Sequence, residues 1–127
     1  MQKFKKLKIW QRSINFISDI YKLTNSFPNH ELVGLTSQLR RAATSISLNI
    51  AEGSGNDSDL EFRRFLIMSL RSVYEVISGL EIAKKLDYST SENINKLIAD
   101  SDELAAMING FIKKLKADSC QLKAKNV

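Results

Sequence analysis

The stretch SQLRRAATSISLNIAEGSG, residues 37–55, sets two adjacent arginines, Arg40 and Arg41, an asparagine, Asn49, and a glutamate, Glu52, among small and aliphatic residues of helical spacing. Such groups in a helix that should pack a core are candidates for acid–base or binding chemistry, and equally for internal pairing. The rest of the chain gives catalysis little to work with. His30 is the only histidine and follows Phe27-Pro28 in a loop stretch, so one chain builds neither a histidine-containing triad nor a multi-histidine metal site. The carboxylates stand singly among basic neighbours, and the Glu-x-x-His pattern of di-metal bundles is absent. The GSG at 53–55 lacks the Gly-Lys-Ser/Thr and the preceding strand of a nucleotide loop. The expectation is a protein that is not an enzyme and takes no cofactor and no metal.

A second kind of chemistry is attraction of anions. Residues 1–12 carry Lys3, Lys5, Lys6, Lys8 and Arg12 without an acid, and residues 113–127 carry five lysines against Asp118. The net charge of +5 therefore divides into +5 and +4 at the two ends and −4 between them. Two solvated, fraying termini are the plain reading of such blocks. If the two ends meet in space, they become one electropositive surface.

The elements that must position these groups are helices. A chain of 127 residues with one proline and five glycines has few turns to offer and reads as one all-α domain. Helices are predicted at about 6–25, 31–52, 58–86 and 91–116, followed by a basic tail, 117–127. Leu7, Trp10, Ile14, Ile17 and Tyr21 recur at helical spacing as the expected buried stripe of the first helix, and Leu32, Leu35, Leu39, Ala42, Ile46 and Asn49 do so in the second. Left-handed-tolerant residues in GSGND should end the second helix. Asp57 or Ser58 should cap the third, and Ser89 with Glu92 should open the fourth as a capping box. One cysteine, Cys120, excludes an internal disulfide. The longest uncharged run, Ala42 to Ala51, is too short and polar to span a membrane, and the basic start lacks the apolar stretch of a secretory signal. A cytoplasmic protein with no membrane partner is expected.

Short connections imply an antiparallel up-down-up-down four-helix bundle. In that topology both basic blocks converge on one end, with Lys3, Lys5, Lys6, Lys8, Arg12, Lys113, Lys114 and Lys116 as the main contributors to nucleic-acid binding and Arg63 as a lesser one. Asn49 should point inward near this end. Glu52, facing the negative end of its helix dipole, should pair with Arg64, or failing that Arg63, in a structural polar network. Ile9, Phe16 and Ile20 lie away from the first helix's stripe, and the third helix spreads Phe62 to Leu86 over a wide apolar arc. Both are expected to supply a self-association interface, membrane adhesion being the rival explanation.

FPNHELVGLTSQLRRAATSISLNIAEGSG, followed by EFRRFL and SVYEV, resembles the 23S rRNA intervening-sequence proteins, also known as S23 ribosomal proteins, over nearly the whole chain. The resemblance implies four-helix bundles that assemble as ring-like homopentamers. It also implies, through a related branch of diversity-generating retroelement accessory proteins, RNA or DNA and a reverse transcriptase or other protein as partners. The family pattern falls on Gln38, Arg41, Ser45, Asn49, Glu52, Gly53, Arg64, Phe65, Leu66, Ser72 and Glu75. Asn56 and Arg71 depart from it, standing where relatives commonly have a basic residue and a glycine. A nucleic-acid-binding assembly is the leading expectation, and an oligomeric scaffold for another protein is the alternative.

Overall fold

A computed structural model of the chain describes residues 2–125, with side chains for residues 2–116. Among the described residues there is no strand. Four helices, α1 (Lys8–Thr24), α2 (Leu35–Ser54), α3 (Asp59–Lys85) and α4 (Ser91–Lys125), are joined by short loops, with 3-10 turns at Lys3–Lys6 and Asn29–Glu31. α4 runs past the expected end at Lys116, and the side chains of the basic tail, Cys120 included, lie outside the described residues.

Local chemistry explains the boundaries. Ser58 Oγ accepts the Glu61 N–H at 3.3 Å, with Asp59 and Glu61 in the first turn of α3 where acids suit the helix dipole. Thr90, not Ser89, caps α4: its Oγ1 accepts the Asn93 N–H at 3.2 Å. α2 starts later than its apolar rhythm suggests, because Asn29–Glu31 winds into a 3-10 turn and Glu31 Oε1 reaches forward to accept the Leu35 N–H at 3.1 Å. A Cβ on Gly34 would fall 2.5 Å from that oxygen, so glycine makes room for the carboxylate that caps the helix. α3 ends in a Schellman motif, Tyr88 N–H to Ala83 O (3.0 Å) and Asp87 N–H to Lys84 O (3.1 Å), with Asp87 left-handed at φ 57°. GSGND ends α2 as expected, at Ser54, but without a left-handed residue: Gly55 has φ −78° and no glycine has positive φ. The helix runs through Gly53, which serves close packing instead.

Paired residues show how the helices lie. Along α3 and α2, a Cβ on Gly53 would meet Phe65 and Phe62, Ser69 Oγ donates to Ile46 O (2.9 Å), Ser72 and Ser45 hydroxyls meet at 3.1 Å, and a Cβ on Gly79 would meet Leu39. Numbers rise along α3 as they fall along α2. Phe62 packs on Phe111 and Lys84 on Asn95 across α3 and α4. Arg12 pairs with Glu103 across α1 and α4, while Arg40 of α2 holds the last turn of α1, donating from Nε to Thr24 Oγ1 (2.9 Å) and from Nη2 to Asn25 Oδ1 (3.0 Å) and standing 4.7 Å over the Tyr21 ring.

The core corrects the reading of two helices. Ile9, Phe16 and Ile20, expected on an outer face, are buried within the subunit, with Leu23, against Leu39, Ile46, Ile50, Leu66, Leu80 and Ile108. The physical reason is that α1 packs on both α2 and α4, and the line facing between them is Ile9, Ser13, Phe16, Ile20 and Leu23. Ser13 can lie on it because its hydroxyl bonds Trp10 O at 2.6 Å. The other stripe, Leu7 to Tyr21, turns toward the α2 side, where Leu7, Trp10 and Ile17 are half-buried but Ile14 and Tyr21 are 40% and 42% exposed. The wide arc of α3 is taken up by α2 on one flank and α4 on the other, so most of it is buried or half-buried. Leu60, Met68, Tyr74 and Ile82 are instead the apolar residues that α3 turns outward.

Candidate functional site

Lys3, Lys5 and Lys6 sit on the 3-10 turn before α1, and the turn is pinned rather than frayed. The Phe4 ring packs edge-on against Trp10 (5.0 Å between centroids), Gln11 Nε2 donates to Lys5 O at 2.8 Å, the Leu7 N–H bonds Phe4 O, and the segment packs against α2. The lysine side chains themselves are exposed, as is Lys8 in the first turn of α1. That turn contains no acid, and Leu7 gives no side-chain cap. Four lysines thus surround the positive end of a helix dipole, which disfavours the helix and favours an anion there.

The remaining basic residues divide. Lys113, Lys114 and Lys116 are exposed on α4. The lysine turn contacts α1 and α2, and Arg12, one turn into α1, faces Glu103 of α4. Arg12 is already engaged: it binds Glu103 Oε1 at 3.0 Å, which raises the guanidinium and holds the Glu103 carboxyl below its ordinary range, mainly through the hydrogen bond and then through charge. Arg63 is half-buried, and its Nε meets no hydrogen-bond partner among the described residues.

The expected network of Asn49, Glu52 and Arg64 does not form. Arg64 Nη1 pairs with Glu61 Oε1 at 2.8 Å, one turn back on its own helix, and Glu52 is exposed. Asn49 is half-buried and keeps to α2, with Nδ2 donating to Ser45 O (2.9 Å) and Ser45 Oγ (3.0 Å). Its link to α3 runs through the Ser45–Ser72 contact, a pair of hydroxyls that spacing alone did not couple. The α2–α3 turn also brings Asp57, Asp59 and Glu61 beside Arg63 and Arg64.

The opposite end holds Phe27, His30, Glu31 and Tyr88. Tyr88 OH donates to Glu31 Oε2 at 2.7 Å, and His30 is exposed, its ring 6.4 Å from Tyr88. The Tyr88 hydrogen bond, helped by the Leu35 N–H, holds the Glu31 carboxyl below its ordinary range, and the same bond raises Tyr88. Both oxygens of this carboxylate are occupied by structural donors. Among the described residues no group of three histidine, cysteine or acidic side chains could hold a metal, and no helix is long and apolar enough to cross a membrane.

The model of the 23S rRNA-intervening sequence protein family matches residues 5–110, a span that takes in α1, α2 and α3 and most of α4. The chain belongs to this family. A crystal structure of a protein of unknown function from the S23 ribosomal protein family of Bacteroides thetaiotaomicron VPI-5482 superposes on it with a TM-score of 0.75 at 26% identity, covering 83% of this chain and 98% of that one. No curated protein matches. Within the span matched to the 23S rRNA-intervening sequence proteins lie the Ser45–Ser72 seam, the Arg40 clamp and Lys5, Lys6 and Lys8, whereas Lys3, Lys113, Lys114 and Lys116 lie outside it.

Proposed function

We propose that this chain is a non-enzymatic, cytoplasmic protein that folds as an up-down-up-down four-helix bundle, self-assembles as a ring-like homopentamer and binds nucleic-acid phosphates through Lys3, Lys5, Lys6, Lys8, Lys113, Lys114 and Lys116. The observation that carries the reading is the pinned, acid-free lysine turn at the start of α1. Such a concentration of like charge on a helix N-terminus costs stability, and a phosphate backbone offsets that cost. Arg12 and Arg63 contribute less, the first because Glu103 already neutralises it. No base-reading helix accompanies the lysines, so binding is backbone-driven and weakly sequence-specific. A cyclic assembly repeats the patch around one rim, and weak contacts add by avidity.

Filter binding over a salt series tests this. If about four phosphates are engaged, log affinity falls against log salt with a slope of roughly −3 to −4 on duplex, shallower on single strands. Changing Lys3, Lys5, Lys6 and Lys8 to Gln should abolish most of the binding. Equal affinity of wild type and variant, or no binding at low salt, refutes the reading. The scaffold alternative draws on the far end of the fold, where Leu32 and Val33 are 60% and 92% exposed, a pair of apolar residues suited to a protein partner.

A further inference from the structure

One aromatic pair of the subunit stands among cations. Phe4 lies between Lys3 and Lys5, with Lys6 and Lys8 following and no acid in residues 1–12, and its ring meets Trp10 at 5.0 Å between centroids and 61° between planes. Neither ring is buried: Trp10 is half-buried against the core, whereas Phe4 stands outside the core cluster and rests on Trp10. The Trp10 indole N–H bonds no described residue, and Arg63 Nε, not this group, is the buried side-chain atom left without a partner, so the indole N–H meets solvent. The other aromatic groups differ. Phe62 is buried in its pair with Phe111, and Phe27, also buried, and His30 meet Tyr88 beside the Glu31 carboxylate, which repels a phosphate. The Tyr21 ring carries the Arg40 guanidinium, 4.7 Å from its centroid.

Half-exposed rings set among four ammonium groups are the combination that holds a single strand, the lysines taking phosphates and the ring faces taking bases. A duplex offers the same phosphates, but its base faces are stacked on one another and out of a ring's reach. The turn is fixed by its own bonds, Gln11 Nε2 to Lys5 O at 2.8 Å and the Leu7 N–H to Phe4 O at 3.0 Å, so the rings are presented at little ordering cost. Every base has a face, so stacking adds affinity for single strands without reading their sequence.

We infer that the Phe4–Trp10 pair stacks a base of a single-stranded nucleic acid whose phosphates lie on Lys3, Lys5, Lys6 and Lys8. The inference rests on the phosphate binding proposed above and adds the bases to it. Trp10 is the only tryptophan, so its emission reports on this place alone. A thymidine oligonucleotide of about 12 nucleotides is compared with an abasic strand carrying the same number of phosphates, end-labelled strands giving affinity by anisotropy and unlabelled ones giving contact by Trp10 emission. The thymidine strand should bind roughly 5- to 150-fold more tightly and quench Trp10, and the abasic strand should bind without comparable quenching. Phe4→Leu, which leaves Trp10 an apolar neighbour but removes the ring face, should weaken binding of the thymidine strand and leave the abasic strand unchanged. Equal affinity of the two strands overturns the inference, and so does a thymidine preference with unchanged Trp10 emission, since the bases then stack elsewhere. Equal losses for both strands in Phe4→Leu overturn it too, because the ring then only holds the turn. In these cases the abasic strand still binds the wild type and the phosphate reading stands, whereas no binding of either strand at low salt removes both.

Discussion

Three helical glycines differ only in what a methyl group would meet, which makes a graded test of the α2/α3 seam. At Gly110 a Cβ meets nothing within 4 Å, so Gly110→Ala should collect the full helical gain of about 0.5–1 kcal/mol. At Gly79 the nearest atom is Leu39 Cδ2 at 2.6 Å, the end of a buried but rotatable side chain. Displacing it from its rotamer costs about 0.5–1.5 kcal/mol, leaving Gly79→Ala within about 1 kcal/mol of neutral. At Gly53 the nearest atom is Phe65 Cβ at 2.7 Å, which is fixed to the α3 backbone. Ordinary carbon contacts lie near 3.5–4.0 Å, so the helices must separate by about 1 Å, and overpacking of this kind costs about 1–3 kcal/mol. After the helical gain is subtracted, Gly53→Ala should destabilise by about 0.5–2 kcal/mol. Urea unfolding followed by far-UV circular dichroism at one protein concentration reads all three midpoints. A Gly53→Ala protein as stable as Gly110→Ala would refute the close approach of α2 to α3.

Truncating the buried line of α1 separates its two apolar stripes: Phe16→Ala should cost about 3–5 kcal/mol and Ile20→Ala about 2–5, whereas Ile14→Ala should leave the unfolding midpoint of the dissociated subunit nearly unchanged. Equal losses would return the first helix to its other stripe. Glu31 and Glu103 both lie below their ordinary value of 4.5 in the folded state, so the stability they add is present above that pH and is lost as the pH falls through their folded values. Tyr88, raised above 10.0, adds stability that is complete below that pH and lost as the pH rises through its folded value. Thermal melts of Glu31→Gln should therefore show a shallower acid decline than wild type, and an unchanged profile would remove the Glu31–Tyr88 contact from the account.

Four helices were readable because Leu35, Leu39, Ala42, Ile46 and their counterparts repeat at helical spacing and because Ser58 marks a start. The orientation of α1 was not, since its two apolar lines are of similar strength and the buried one is interrupted by Ser13, whose hydroxyl is satisfied locally. The partner of Glu52 is hidden for a related reason. Across the turn Arg64 is an obvious match for it, but Glu61 lies one turn away from Arg64 on the same helix, at 2.8 Å. Gly53 carried a glycine signal whose usual meaning is a turn, and only the distance to Phe65 reveals a packing role. Of the candidate site, the lysines could be named from charge alone. That Phe4, Trp10 and Gln11 would hold them in a fixed turn was beyond reach, because those contacts depend on where α1 begins.

The seam between α2 and α3 also sets how the subunit comes apart. These two helices are consecutive, long and more extensively in contact than any other pair, while α1, with 17 residues, engages its neighbours far less. Local opening follows such inequalities, so amide hydrogens in the middle of α2 and α3 should exchange only on global unfolding, whereas those of α1 should escape through a smaller, cheaper release of that helix. The Arg40 hold on Thr24 and Asn25 must break in that release, and the segment between α1 and α2 should then become open to a protease.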